Sequence, residues 1–332
     1  MLRGPDQLIG KSTNLLITRM PAAIKVSVIM PVERIGGDAE RAVASVLGQQ
    51  APFPFELILV SAAPLTFAAM IQPETVARNV IEPERNPATR RNRAVSEARG
   101  EILAFIDDDA VADEGWLATA VAYLDGHPEI LVLGGPDPAP GDSTRAELIS
   151  ETLLATPFIG SGLACHENRP GIFPVKNASD IALVNLFVRR SAFRGFDESV
   201  GYIGEDTALI ALLIPAVVYH SGVRVFHRRR AFPGPYLRQR WRYRVKTGEM
   251  LRRGAQPYAK NRKIWAFLFV GTIAILAAPI AIVPYFVFTF ILGVRATRLP
   301  RRDWLVLPFA FAAHHATYFA GIVWGAIRTR LR

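Results

Sequence analysis

Three consecutive carboxylates, Asp107-Asp108-Asp109, follow directly on the apolar run Glu101–Ile106 (EILAFI). Adjacent carboxylates repel one another, which raises their pKa values unless a cation lies among them. Hard divalent ions such as Mg²⁺ or Mn²⁺ take carboxylate oxygens and bridge to phosphates. The triplet therefore reads as a metal and phosphate site rather than a solvated turn. Asp107 and Asp109 are two residues apart, so in extended chain they project to one side.

The surrounding segments have the pattern needed to hold such a site. Val26–Pro31 (VSVIMP) is a short apolar run ended by proline, as expected of a buried parallel strand. Asp38–Gln50 has helical spacing, with Ala42, Val43, Val46 and Leu47 on one side. Phe55–Ser61 reads as a strand and Pro87–Gly100 as a helix with an early proline and a closing glycine. Glu101–Ile106 is a strand, Asp113–Gly126 a helix and Ile130–Gly135 a strand. This alternation predicts an α/β fold with a doubly wound, mostly parallel sheet. Ligands bind such sheets at the carboxyl ends of strands, where the triplet falls. Residues 136–180 are rich in Pro, Gly, Ser and Asp without a long periodic element, and read as a long functional loop.

The net charge of +10 is unevenly spread. Residues 1–223 carry −9, whereas residues 224–332 carry 21 Lys and Arg against Glu249 and Asp303, or +19. Two uncharged apolar stretches, 264–294 and 304–327, pass the length test for membrane spans. The first is long for one straight span. Pro279 and Pro284 offer a break, so it reads as one tilted, kinked span or a short re-entrant hairpin, and two spans are expected in all. Basic residues beside apolar spans point to anionic membrane lipids. The same placement, without a nucleic-acid motif, argues against nucleic-acid binding. Between Pro233 and Arg262, Leu237, Trp241 and Val245 fall on one helical face among Arg238, Arg240, Arg242 and Arg244, which predicts an interfacial helix. His314 and His315 lie mid-span and read as neutral imidazoles bonded between helices, with Thr272, Thr289 or Tyr318 as partners. The single cysteine, Cys165, excludes an intrachain disulfide and lacks a nucleophile's context. The first 25 residues have no sustained apolar core, so no signal peptide is expected and the globular part should face the cytoplasm.

The ordered set VSVIMP, TRRNRAV, GEILAFIDDD, NLFVRRSAFRGFDE and GEDTAL resembles inverting glycosyltransferase family 2, with its GT-A fold, over roughly residues 25–245. The resemblance implies that Asp107 and Asp109 form the D-x-D motif on a divalent metal, Mg²⁺ or Mn²⁺, with Asp107 and Asp108 beside the nucleotide-sugar donor. Gly204-Glu205-Asp206 matches the acidic motif at a helix start, which makes Asp206 the implied catalytic base and Glu205 the alternative. His227, rather than His220, fits a third metal ligand. Arg91 and Asn92 match a segment near the nucleotide. Gln239-Arg240-Trp241-Arg242-Tyr243 is close to the Q-x-x-R-W motif of processive members, which places Gln239, Arg242 and Tyr243 near the acceptor and diphosphate. Two departures stand out. Ser61-Ala62-Ala63-Pro64 replaces an acidic base-recognition cluster, and Pro31-Val32-Glu33-Arg34 replaces a Tyr-Asn pair. Base recognition then falls to backbone groups or to Glu33, and Pro31 and Glu33 are the donor-binding candidates at this edge.

The reading that follows is a metal-dependent inverting glycosyltransferase. It acts on a lipid-linked or cell-envelope glycan acceptor at the cytoplasmic membrane face, with 136–180 shaping the acceptor site. Its expected parts are an N-terminal extension (1–24), a GT-A domain (25–230), a basic interfacial segment (231–263) and a transmembrane region (264–332). The rival readings are a processive polysaccharide synthase, favoured by QRWRY, and an inactive nucleotide-binding membrane scaffold, favoured by the missing acidic cluster.

Overall fold

The computed structural model describes residues 23–65, 75–200, 204–255 and 258–328. The expected extension 1–24 and the terminal Arg330 and Arg332 lie almost wholly outside these. The chain runs β1 (Val26–Pro31), α1 (Asp38–Leu47), β2 (Phe55–Ser61), β3 (Thr75–Ile81), α2 (Pro87–Glu97), β4 (Ile102–Phe105), β5 (Ala110–Ala112), α3 (Trp116–Gly126) and β6 (Val132–Gly134). It continues through α4 (Arg145–Ala155), α5 (Ala164–Glu167), β7 (Ile172–Pro174), β8 (Leu186–Arg189), α6 (Glu205–Leu213), β9 (Val217–His220) and β10 (Val225–His227). Four helices close it: α7 (Gly234–Arg252), α8 (Arg262–Leu276), α9 (Ala278–Ala296) and α10 (Leu307–Arg328).

The main sheet has the order β3-β2-β1-β4-β8-β6-β9-β7. β1 pairs in parallel with β2 and β4, β2 with β3, and β6 with β9, while β8 and β7 run antiparallel to their neighbours. Alternate side chains along each central strand enter different cores. Val26, Val28, Leu57, Leu59, Ile102 and Ala104 pack with α1 and α3. Ile29, Ile58, Val60, Leu103 and Phe105 pack with α2 and α6. A sheet buried on both faces needs apolar residues at both parities, which is why β1, β2 and β4 read as nearly continuous apolar runs, broken only by Ser27 and Glu56, which bond each other at 2.6 Å. The register sets Ile29 opposite Phe105, so the segments after β1 and β4 leave the sheet side by side.

Residues 136–180 are not simply a long loop. They contain the 11-residue helix α4, whose start is a capping box: Glu147 N donates to Thr144 Oγ1 at 3.4 Å and Thr144 N to Glu147 Oε2 at 2.7 Å. The Pro- and Gly-rich flanks diluted its periodicity.

The C-terminal helices divide by how they are covered. α10 packs along α7 through three glycines. A Cβ on Gly325 or Gly248 would overlap the backbone of Val245 or Ile322, and one on Gly321 would come 2.7 Å from the Arg244 Cβ. The sequence placed Leu237, Trp241 and Val245 on a membrane-facing stripe. Instead, Leu237 packs on a cluster containing Leu307, Ala310 and Phe311 of α10, and Val245 meets Gly325. A helical period reveals an apolar face but not what covers it. Trp241 stays 38% exposed.

The apolar stretch 264–294 breaks at Ala277, ahead of either proline. Pro279 sits in the first turn of α9, and Pro284 lies within α9 without ending it. Both helices touch α10: Phe267 of α8 and Tyr285 of α9 each lie against His315. Two helical segments, Pro279–Ala296 and Arg301–Arg328, are long and apolar enough to cross a membrane; the first is mostly exposed and the second nearly half buried against the rest of the chain. Neither histidine uses its expected partner. His314 Nδ1 meets the Tyr236 hydroxyl at 2.7 Å, and His315 bonds the Tyr285 hydroxyl at 2.8 Å and the Ile159 carbonyl at 2.7 Å. The α9–α10 corner is tied to the sheet domain through Thr152–Thr297, Arg298–Ala139 O and Arg145–Asp303.

Candidate active site

α2 starts from an Asn86 cap, whose Oδ1 accepts from Ala88 N at 3.0 Å. The helix projects buried Arg91 beneath the carboxyl edge of the sheet. Arg91 Nη2 donates to Asp107 Oδ1 at 2.8 Å and Nη1 to Glu205 Oε1 at 3.3 Å. One guanidinium thus joins the segment after β4 to the start of α6. Asn92 is committed elsewhere. It accepts from Phe196 N at 2.8 Å and donates to Phe196 O and Glu198 Oε1 at 2.9 Å each. These bonds hold the 196–198 segment, so the amide expected to contact the donor is already engaged. Arg90 reaches Glu33 Oε1 at 2.9 Å, leaving most of the Glu33 carboxylate exposed beside Pro31 at the end of β1.

The triplet is not extended. Ala110 N bonds Asp107 O at 3.1 Å and closes a turn, so the alternation of a strand does not apply to Asp107 and Asp109. Asp108 takes a backbone hydrogen bond from Glu33. Burial, then the Asp109 and Asp107 charges, push Asp108 up to about 6. Asp109 sits in an opposite field. Burial would raise it, but His227 and Arg230 hold it below the ordinary carboxylate value. The two-stranded ribbon brings these groups together: β5 and β10 pair antiparallel with Ala110 opposite His227. His227 Nε2 lies 3.3 Å from Asp109 Oδ1, and Arg230 Nη2 lies 3.4 Å from Oδ2. His220 lies elsewhere, accepting from Gly222 N at 3.0 Å and packing on Tyr123.

Behind His227 lies a network absent from the sequence reading. His227 Nδ1 is 3.5 Å from Asp137 Oδ2. Arg229 Nη1 and Nη2 each reach Asp137 at 3.1 Å, and Arg229 Nε reaches Glu151 at 2.6 Å. Burial would lower the His227 pKa, but Asp109 and Asp137 raise it to about 9. Asp137 also aims the imidazole, since a carboxylate on Nδ1 leaves Nε2 for the group in front. The only trace in the sequence is the run Arg228-Arg229-Arg230, which reads as surface charge although Arg229 is buried. Asp137, Cys165 and His166 also bring potential ligand atoms within 4.8 Å of one another. Arg229 already occupies both Asp137 oxygens, so this cluster is a salt network rather than a cation site. Burial keeps the Cys165 thiol protonated by pushing its pKa well up, in line with the absence of a nucleophilic role.

At α6, Glu205 is buried against Arg91, whereas Asp206 is partly exposed. Asp206 Oδ2 accepts from Leu183 N at 3.2 Å and Oδ1 from Thr207 N at 2.7 Å. Burial and Asp206 raise Glu205 to about 7 against the pull of Arg91. Asp206 is raised as well, chiefly by burial.

The Gln239–Tyr243 segment lies on α7. Gln239 Nε2 is 3.5 Å from the Tyr243 hydroxyl, and the charges of Asp107, Asp206 and Glu205 all act on Tyr243. Arg242 does not join them. It lines an outward groove of about 320 Å³ with Leu237, Arg238, Trp241 and Thr317. The arginine beside Tyr243 is Arg240, with its guanidinium 4.9 Å from that ring. Residues two apart on a helix do not share a face, so only one of the two can turn inward.

Asp109 and His227 lie against each other at the ribbon, while Asp107, in the same turn as Asp109, is tied to Arg91; carboxylates with an imidazole are a donor set that suits Mg²⁺ or Mn²⁺. The family profile of glycosyl transferase family 2 matches residues 27–194. No curated protein matches the chain. Among solved structures, the mannosyltransferase PcManGT from Pyrobaculum calidifontis, in complex with GDP-Man and Mn²⁺, is similar at 18% identity and TM-score 0.51, over 89% of this chain and 86% of that one. S. aureus TarS 1–349 is similar at 15% identity and TM-score 0.45, over 90% of each chain. With half its length matched by the family profile and a mostly parallel sheet of the GT-A kind, this chain belongs to glycosyl transferase family 2 and is a glycosyltransferase.

Proposed function

We propose that the protein transfers a sugar, with inversion, from a nucleotide-sugar to a lipid-linked or cell-envelope glycan acceptor at the cytoplasmic face of a membrane. The observation that carries this is the Arg91 bridge between Asp107 and Glu205, which puts the two acidic motifs on one site. Asp107, Asp109 and His227 would hold a divalent ion, which when bound would neutralise charge on the departing diphosphate. Pro31, Glu33 and Asp108 line the nucleotide side, and Arg91 fixes the acidic groups relative to one another. Asp206 takes the proton of the acceptor hydroxyl as that oxygen bonds the anomeric carbon and the nucleoside diphosphate leaves. Its partial exposure supports that role, while Glu205 serves Arg91. Gln239 and Tyr243 stand on the acceptor side. The exposed apolar faces of α8 and α9, between basic segments, support anchoring at anionic lipid. The PcManGT complex with GDP-Man and Mn²⁺ is in keeping with a metal-dependent nucleotide-sugar site.

The test is calorimetric titration of full-length protein with Mn²⁺ and nucleoside diphosphates. Asp107→Ala and Asp109→Ala should each abolish metal-dependent binding while the thermal transition stays cooperative. Unchanged metal-dependent affinity in both variants removes the central site from this account.

A further inference from the structure

The seam between α7 and α10 buries guanidinium groups without an anion. Arg240 is 9% exposed; its Nη2 donates to Gln239 Oε1 at 2.8 Å, and the guanidinium also faces the Tyr318 hydroxyl. Its Nε has no partner. Arg244, one turn further on, lies 3.9 Å over the Tyr318 ring, and its Nε also has no partner. Among the described residues no carboxylate pairs with either guanidinium. In the same seam His314 Nε2 is buried and unpartnered, and the Tyr318 hydroxyl makes no well-formed hydrogen bond although both guanidinium groups act on it, which leaves its proton free to donate.

These orphans share one chemistry. Both Nε groups and the tyrosine hydroxyl can donate. With the Tyr236 hydroxyl donating to His314 Nδ1, Nε2 carries the remaining proton and is a fourth donor. A convergent set of donors around two fixed positive charges calls for a ligand that offers only acceptor oxygens and negative charge, which a phosphate does. The rings of Tyr236 and Tyr243 beneath Arg240 soften its desolvation, but ring faces compensate a buried cation less than an anion does.

The geometry points to a phosphate site at Arg240 and Arg244, completed by Tyr318 and His314, that receives the anionic head of an amphiphilic acceptor. This rests on the reading of Asp206 as base and of a membrane-borne acceptor. Two observations favour an amphiphile over the donor's own diphosphate. The seam is walled by α10, whose neighbours α8 and α9 present the exposed apolar surface, whereas the donor's proposed ligands lie at the β5–β10 ribbon. Tyr258 feels the charges of Asp206, Glu205 and Arg244 together, and Tyr243 those of Arg240 and the same carboxylates. The Tyr258 hydroxyl packs against Gly204 at the start of α6, and the Arg240 guanidinium lies 4.9 Å from the Tyr243 ring, so the phosphate site opens on the side of α6, where a bound head group would present a hydroxyl to the base.

The experiment uses full-length protein in neutral detergent and three probes: geranylgeranyl phosphate, geranylgeraniol, and UDP or GDP with Mn²⁺. Wild type should bind the prenyl phosphate at least tenfold more tightly than the prenol. Arg240→Gln should weaken prenyl phosphate at least tenfold and leave nucleotide affinity within twofold, and Arg240→Lys should recover part of the loss. If Arg240→Gln does not fold, Arg244→Gln is judged by the same thresholds. If neither folds, the wild-type ratio of phosphate to prenol decides. Equal affinity for phosphate and prenol, an unchanged Arg240→Gln, or a variant that loses nucleotide instead of prenyl phosphate overturns the proposal. Failure of wild type to bind nucleotide with Mn²⁺ is a separate result, and it tells against the broader reading.

Discussion

Arg229 and Arg240 are both buried, and their surroundings differ in kind. Arg229 meets Asp137 and Glu151, so its charge is matched within the fold. Arg240 meets a glutamine oxygen, two tyrosine rings and the Tyr318 hydroxyl, but no carboxylate among the described residues. The first arrangement is complete, and its product is orientation: Asp137 is held, and it in turn aims His227 at Asp109. The second lacks an anion, and its product is capacity for one. Buried charge alone therefore does not mark a site. The useful question is whether the chain already supplies the counter-charge.

The largest effect expected lies at the acidic end, where on the proposed reading the paired groups hold geometry and proton transfer falls to Asp206. Asp206→Asn should lower the transfer rate by roughly 10²–10⁴, the scale of a lost general base, with donor affinity within a few-fold. Glu205→Gln should fall less, because its work is to hold Arg91. Initial rates with the native acceptor or a membrane extract decide. A dead Glu205→Gln beside a normal Asp206→Asn would assign the base to the other carboxylate and remove the division between holding and reacting groups.

Next in size is the matched network itself. Arg229→Met removes the cation and leaves Asp137 and Glu151 buried together, a change that costs about 3–5 kcal/mol when one partner of a buried pair is lost. Denaturant unfolding of the full chain reads this directly. A loss under about 1 kcal/mol would mean that the network is not matched in the sense argued, and the contrast with Arg240 would fail on this side.

What the sequence could and could not show follows the same lines. β1 and β2 match their expected bounds because these buried strands are apolar at nearly every position, with Ser27 and Glu56 bonded to each other inside, and end abruptly at Pro31 and Ser61. The acidic triplet and His227 were visible as residue types at telling places. β3 was not, since Arg78 and Asn79 interrupt its apolar character; Asn79 is in fact bonded to Leu59 O and Ser61 Oγ of the neighbouring strand. α4 was missed although Thr144 and Glu147 announce its start. The Asp137–Arg229–Glu151 network was out of reach, because its members are far apart in the chain and only the ribbon and α4 bring them together. The helical period of α7 gave its apolar face but not its cover, and the motif spacing favoured Arg242 where packing turns Arg240 inward.

The smallest effect is also the one that separates the two arginines by sign. Arg240→Met keeps length and apolar bulk but deletes a buried charge that has no anion. The substitution gives up the hydrogen bond to Gln239, about 1 kcal/mol, the contact with the Tyr318 hydroxyl, and cation–π contacts of about 0.5–2 kcal/mol. It also removes an uncompensated desolvation penalty of several kcal/mol. Ligand-free Arg240→Met should therefore range from no change to a gain of about 2 kcal/mol in unfolding free energy, where Arg229→Met loses. Adding geranylgeranyl phosphate sharpens the test. Wild type should then be stabilised by about 2.7 kcal/mol at a hundredfold excess over its dissociation constant, and the Met variant should not respond. A ligand-free loss above about 2 kcal/mol would mean that Arg240 already has its counter-charge within the fold, and the two arginines would then be one kind of site rather than two.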